Sequence, residues 1–375
     1  MTSSEKKELQ LLDKASSEFA RKMLAPEREE NDHYPFGPFF QNVLDKAFSL
    51  DFFHLVLPED AGGAGHSLEA LCLVLDNICR EDSSLGGIIF TNALAQEIIL
   101  AADAKPLLTE ITDGTETPAA FLIAFPTLSN PSETNTLPTA SANGDTYSLS
   151  GTADYVVLGN IAGHVLLPAK INNSKAYSFF LVDTAADGVT MSEPVVSHGL
   201  HACPAVDMTL KSVPARLVGA ADEGEACFNK AVAIMQLAAA AMSCGIMKGA
   251  VKEAFAYCSE RVQGGRKIKD WSALQMLLSD MAIKTQVADM LISQACQAAK
   301  NEEKGWKIRV QAASLHIQDA AASLVSDGIQ ALGGVGYMKD FGQEKRFRDT
   351  GQINAFLGLA PMKKLSLVRQ LLNNG

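Results

Sequence analysis

The chain has 375 residues, 47% of them hydrophobic and 20% charged, which fits a globular protein of two or three domains and excludes a disordered one. Its 32 basic and 43 acidic residues leave a net charge of −11, so neither a nucleic-acid partner nor an anionic membrane surface is expected. The seven cysteines are scattered, odd in number and never spaced as Cys-x-x-Cys; this disfavours zinc knuckles and disulfide frameworks and agrees with a reducing, cytoplasmic setting.

In chain order, the first zone, 1–116, carries helical periodicity in ELQLLDKASSEFARKML, SLEALCLVLDNICRE and GGIIFTNALAQEIILAA. The N-terminus lacks an apolar signal core. LPEDAGGAG at 57–65 reads as a turn without chemistry. Glu81 and Asp82 open an apolar helix as a cap, or as a displaced base. The second zone, 117–222, holds short β-branched and aromatic runs between Gly, Asn, Asp and Pro, and predicts an antiparallel β barrel or sandwich. His198 and His201 lie there without acidic neighbours at ligand spacing, so no metal is expected. The third zone, 223–375, predicts a four-helix bundle with helices near 228–262, 271–300, 306–331 and 351–373. Its apolar run from Ala231 is short for a membrane span and contains Gln236, so it reads as a buried helix and no membrane span is expected. The fold class is therefore α+β: N-terminal helices, middle β domain, C-terminal bundle.

Four strings narrow this reading. QALGGVGYMKDFGQEKRFRDTGQINAFLG begins at Gln330 and SERVQGGRKIKDWSALQ at Ser259; HGLHACPAVDMTLKSVPARLVG begins at His198, and LPEDAGGAG precedes them all. Together, and in their order along the chain, they resemble the acyl-CoA dehydrogenase family along essentially the whole chain. The resemblance implies an FAD whose isoalloxazine lies between the β domain and the bundle, and a glutamate that removes the α-proton of an acyl-CoA thioester. Such a base needs a carboxylate within reach of the proton, with its pKa raised by burial.

The two places where the family carries that base are Leu357 and Met235, and neither side chain accepts a proton. No catalytic residue is therefore assigned. Beside Met235, Ala233 and Gln236 replace residues that often contact CoA. The family's Thr-Glu-Pro-x-x-Gly-Ser-Asp corresponds to Ala124, Phe125, Pro126, Thr127, Leu128, Ser129, Asn130 and Pro131; its Trp-Ile-Thr corresponds to Tyr155, Val156 and Val157. Tyr155 is either ordinary β packing or a cover for the ring.

The other half of the cofactor site survives. In the resemblance, a neighbouring subunit lends the Arg of Arg-x-x-Phe-Gly and the Gln-x-x-Gly-Gly loop to the diphosphate and adenosine. Arg261, Gln330, Gly333 and Gly334 stand at those positions, although Gly264 replaces the Phe. Glycine lets backbone amides approach a phosphate, and Arg adds a charge-assisted bond. The basic cluster Arg261, Arg266, Lys267 and Lys269 is either a solvated loop or an offset for a dinucleotide's charge.

The expected function is that of an accessory subunit in a hetero-oligomeric acyl-CoA dehydrogenase. Its partner would be a homologous, glutamate-bearing subunit in a dimer or tetramer. FAD would be shared across the interface, acyl-CoA would be the substrate, and an electron-transfer flavoprotein would accept the electrons. Two alternatives stay open: a self-sufficient FAD enzyme with a relocated base or monooxygenase-like chemistry, and a non-enzymatic binding or scaffold protein.

Overall fold

The structure is a computed structural model that describes residues 3–33, 41–144, 146–172 and 174–373. Helices α1 (Ser3–Phe19), α2 (Gln41–Ser49), α3 (Leu68–Cys79), α4 (Ser83–Ala101), α5 (Lys105–Thr112) and α6 (Pro118–Phe121) form the N-terminal part. Three starts are capped by a side chain: the Ala70 amide donates to Ser67 Oγ at 3.4 Å before α3, the Ser84 amide to Asp82 Oδ1 at 2.8 Å before α4, and the Ala120 amide to Thr117 Oγ1 at 3.4 Å before α6.

Strands β1 (Ile123–Ala124), β2 (Thr139–Asn143), β3 (Thr146–Val157), β4 (His164–Ile171), β5 (Ser178–Asp183), β6 (Val189–Met191) and β7 (Ala205–Val218) follow. The order β4-β2-β3-β7-β5 returns to β4, closing a barrel that leaves no long free edge among the described residues. The sequence predicts an antiparallel domain, whereas β4 pairs in parallel with both β1 and β2. These ladders are only two residues long, and so short a parallel pairing leaves no hydrophobic pattern to read.

The bundle contains α7 (Gly224–Glu260), α8 (Ser272–Lys300), α9 (Trp306–Leu332), α10 (Gln343–Ile353) and α11 (Ala360–Asn373), with a hairpin of β8 (Val262–Gln263) and β9 (Arg266–Lys267) between α7 and α8. The single helix expected over 351–373 is divided. Leu357 and Gly358 adopt φ of 63° and 101°, so the chain turns between α10 and α11. α7 is 37 residues long, about 55 Å. Gly245 and Gly249 let α3 cross it closely: a Cβ at either place would stand 2.3 Å from a carbonyl, of Asp76 and Arg80 respectively. The first half of α7 shares a core with the N-terminal helices and the barrel; the second half packs with α8 and α9. α4 and α7 are both long and apolar enough to cross a membrane, yet both are mostly buried inside the fold. All seven cysteines are free and buried.

The three parts meet at α10. Lys345, 4% exposed, donates to Asp349 Oδ2 at 2.7 Å and to Asp82 Oδ1 at 3.2 Å. Arg348 donates to Asp32 Oδ2 at 2.6 Å, and the Leu200 amide donates to Asp349 Oδ1 at 2.8 Å. His201 Nδ1 lies 3.1 Å from Asp32 Oδ1. Burial alone would lower the His201 and Lys345 pKa values, but the facing carboxylates outweigh it and raise both. One network thus joins an N-terminal turn, the start of α4, the β6–β7 loop of the barrel and α10.

Removing the central cation would leave the Asp82 and Asp349 carboxylates buried with their backbone hydrogen bonds but without this ion pair. Lys345→Met is expected to cost about 3–5 kcal/mol in urea unfolding; a loss below about 1 kcal/mol would show that the network does not hold the parts together.

Candidate functional site

The proposed nucleotide-binding residues converge at one end of the bundle. α7 and α9 run parallel, and one turn from the end of α7 the Cys258 thiol points at the Ala331 carbonyl, 3.7 Å away, near the end of α9. Arg261, the residue that terminates α7, and Gln330, Gly333 and Gly334 are therefore neighbours in the fold, and all four are exposed. Ile268, just past the hairpin, packs on the cluster that holds Cys258, Ala331 and Leu332. Gly333 has φ +64°, and a Cβ on either glycine would meet no protein atom within 4 Å, so the loop backbone is bare toward solvent. That cradle suits a diphosphate.

The sequence missed Trp271. Gly264 and Gly265, with φ of 64° and 82°, turn the β8–β9 hairpin, and Trp271 folds back on that turn. Its Nε1 donates to the Gln263 carbonyl at 3.3 Å, and the Arg266 guanidinium lies 3.6 Å from the ring centroid. A Cβ at position 264 would stand 2.9 Å from the indole. The glycine that replaces the family's aromatic residue is thus the space an indole edge approaches, and only the fold brings positions 264 and 271 together.

The barrel side is different. Phe125 and Val157 exchange backbone hydrogen bonds of 3.1 Å, so neither amide is available to a ring edge. The Thr127 hydroxyl, fully buried, lies 3.0 Å from that of Thr91. Ser129 Oγ donates to the Pro126 carbonyl, and Asn130 caps the following turn. These residues do not fit the polar edge of an isoalloxazine. Tyr155, held at φ 52° in a bulge of β3, accepts a bond from Gln352 Nε2 at 3.0 Å. It also lines a cavity of about 380 Å³ with Pro126, Leu128, Ser129 and Pro168.

Met235 is fully buried; Leu357 is 5% exposed, its amide donating to the Thr127 carbonyl at 2.8 Å. Ala233 and Gln236 line a separate groove of about 330 Å³ with Lys230, Lys307 and Gln311. Asp82 caps α4, and Glu81 pairs with Lys252 at 2.8 Å. Among the described residues, Asp76, Cys244 and Asp289 bring three potential metal-ligand atoms within 4.8 Å, but Lys248 already bridges the two carboxylates at 2.9 and 2.5 Å.

Two shifted groups had no signal in the sequence. Burial lowers the Lys363 amine to about 8, with Glu133 opposing the shift. Half-buried Glu97 on α4 is raised by burial to about 7. A carboxyl raised in the folded state stabilises it fully below the unfolded value of 4.5, and that contribution is lost as pH climbs through 7. Glu97→Gln is therefore expected to raise the unfolding free energy by about 2–3 kcal/mol at pH 8.5 and hardly at all at pH 4. Equal effects at both pH values would contradict the assignment.

Comparison with known proteins gives one family at both ends of the chain. The N-terminal domain of acyl-CoA dehydrogenases matches residues 6–104, and their C-terminal domain matches 222–371. The 3-(aryl)acrylate reductase of Clostridium sporogenes is 26% identical over 97% of this chain and 98% of its own. The caffeyl-CoA reductase–Etf complex subunit CarC of Acetobacterium woodii is 24% identical over 96% and 97%. Butyryl-CoA dehydrogenase from Megasphaera elsdenii superposes with a TM-score of 0.88 at 22% identity, over 99% of each chain.

Proposed function

Because the chain belongs to the acyl-CoA dehydrogenase family, whose members are FAD flavoproteins, we propose that it is the accessory subunit of a hetero-oligomeric acyl-CoA dehydrogenase. In this role it lends the diphosphate and adenosine half of a cofactor site to a homologous subunit that carries the glutamate. The observation that carries this reading is the contrast within one molecule. Arg261 and the bare Gly333–Gly334 backbone share one exposed end, while apolar side chains that accept no proton, Leu357 and Met235, occupy both base positions.

Each residue has a definite task in this scheme. The Arg261 guanidinium neutralises a diphosphate oxygen, and the loop amides at Gly333 and Gly334 approach the phosphates without a side chain in the way. Gln330 holds the loop's approach from the last turn of α9. Trp271, stacked with Arg266, offers the aromatic face that position 264 no longer supplies. Val335, Tyr337 and Met338 are 37%, 79% and 51% exposed around the loop, a surface that an adjoining subunit would cover. FAD, when bound, supplies the hydride acceptor, and the partner's carboxylate takes the α-proton of the acyl-CoA. That a relative is a subunit of a caffeyl-CoA reductase–Etf complex supports an electron-transfer flavoprotein as a redox partner.

A second reading rests on the cavity beside Tyr155. Its volume of about 380 Å³ has room for a planar ring system, which favours a self-sufficient flavoenzyme with altered chemistry. The two readings separate on colour: the accessory subunit purifies colourless when expressed alone, whereas a self-sufficient enzyme is yellow.

Co-purification from the native host, with a visible absorbance scan, tests the first reading directly. A homologous subunit and flavin are expected together. Arg261→Ala is expected to weaken flavin retention in that complex by about 10-fold or more, the worth of a charge-assisted hydrogen bond. Unchanged flavin content would contradict the shared site.

A further inference from the structure

We infer that the cleft between barrel and bundle has become solid core in this chain, plugged by Phe90 and Phe356, so that it admits no acyl chain. The inference rests on the family reading for the location of the cleft, and on this chain's packing for its closure. It is independent of the nucleotide end.

Three devices close the cleft. The first is a stack. Phe90 on α4 and Phe356 in the α10–α11 turn lie face to face, with centroids 5.0 Å apart and planes at 27°, and they are 0% and 1% exposed. The second is a backbone clip. The Leu357 amide donates to the Thr127 carbonyl at 2.8 Å, and the Thr127 hydroxyl in turn meets Thr91 at 3.0 Å. The third is a clasp on the turn itself. Lys363 Nζ donates to the Phe356 carbonyl at 2.6 Å and the Asn354 carbonyl at 3.3 Å, holding down a turn in which Leu357 keeps a left-handed φ of 63°. Glycine at 358 allows the turn to settle on Asn130, whose Cβ lies 3.3 Å from where a Gly358 Cβ would be.

Burial shows that no void remains behind this plug. Phe90, Thr91, Thr127, Leu94 and Met235 are all 0% exposed, so no space as large as a water molecule adjoins any of them. A pocket that accepts even benzene needs about 150 Å³. The loss of the carboxylate is therefore accompanied by loss of the space it would serve. Residue 357 cannot regain a function by substitution alone, because its main-chain donor and its side-chain volume are both already taken.

The test compares butyryl-CoA with free CoA on the full chain by calorimetry, so that only the acyl part is read. Wild type is expected to bind the two within about 2-fold of each other, or neither detectably. Phe90→Ala is expected to open the cleft and favour butyryl-CoA over CoA by about 10-fold or more. Phe90→Leu reads the same effect in smaller measure if the alanine variant does not fold. Native-state hydrogen exchange supplies a reading without substitution: the Leu357 amide is expected to be strongly protected and unchanged by butyryl-CoA. Wild type preferring butyryl-CoA by about 10-fold, a folded Phe90→Ala that gains no preference, or a fast-exchanging Leu357 amide would each overturn the inference. Flavin content of the native complex reports on the nucleotide end alone, so either claim can fail while the other stands.

Discussion

A single ammonium group buried among carboxylates sets the arrangement of this molecule. Lys345 lies within 4.0 Å of Asp32, Asp82 and Asp349, on segments that are distant in sequence. Bringing these charges out of water costs several kcal/mol apiece, offset by their mutual attraction at short range and by the hydrogen bonds that Arg348 and the Ser84 and Leu200 amides give the carboxylates. The arrangement is therefore all or none. If α10 moves, Asp82 loses a partner at the start of α4, and Leu200 loses the acceptor for its amide. Because α10 is fixed in this way, the next turn of chain is fixed as well. Gln352 reaches Tyr155 and Gly199, and the turn at Leu357 comes to rest on Thr127.

Seen from that centre, the molecule has one open end and one closed middle. At the open end a glycine loop and an arginine are exposed, the indole of Trp271 lies against Arg266, and among the described residues nothing stands within 4 Å of where a Cβ on Gly333 or Gly334 would be. In the middle, the space around positions 235 and 357, where α4, α7 and the α10–α11 turn meet, is filled with phenylalanine, leucine and methionine. Hydrophobic packing explains the difference without further assumptions: once no charged group has to be accommodated, burying an aromatic pair is worth more than keeping a void. The exposed end gains nothing of that kind: Gly333 ends α9 at φ 64°, a conformation glycine adopts without steric cost, and leaves the loop backbone uncovered.

The order helices, barrel, bundle was legible from composition, because switches between helical and alternating apolar spacing survive in any single sequence. Arg261 and the Gly333–Gly334 pair were read as positions only through the family resemblance. Their adjacency was not, since it depends on α7 and α9 running parallel. The division of the last helix was missed because Ile353, Ala355, Phe356 and Leu357 continue a helical apolar pattern; only the main-chain φ of Leu357 and Gly358 betrays the turn. The short parallel pairings of β4 carried no signal of their own. Trp271 read as part of a helix start, and its contact with Gly264 exists only after the hairpin closes. Glu97 and Lys363 look like ordinary surface charges in the sequence, because a pKa shift caused by burial cannot be read before the burial is known. The network around Lys345 joins residues 263 positions apart, beyond any local pattern.

The boundary near residue 222 marks a change of architecture, and the long helix that begins there belongs to both sides of it. Phe228, Ala231 and Met235 of α7 are buried with the barrel and the N-terminal helices, whereas Met247, Ala254 and Cys258 are buried with α8 and α9. Severing the chain at that boundary would strip one half of this rod bare and leave the barrel missing a wall. The protein is accordingly indivisible: it can be dissected on paper into three pieces, but not into autonomous fragments.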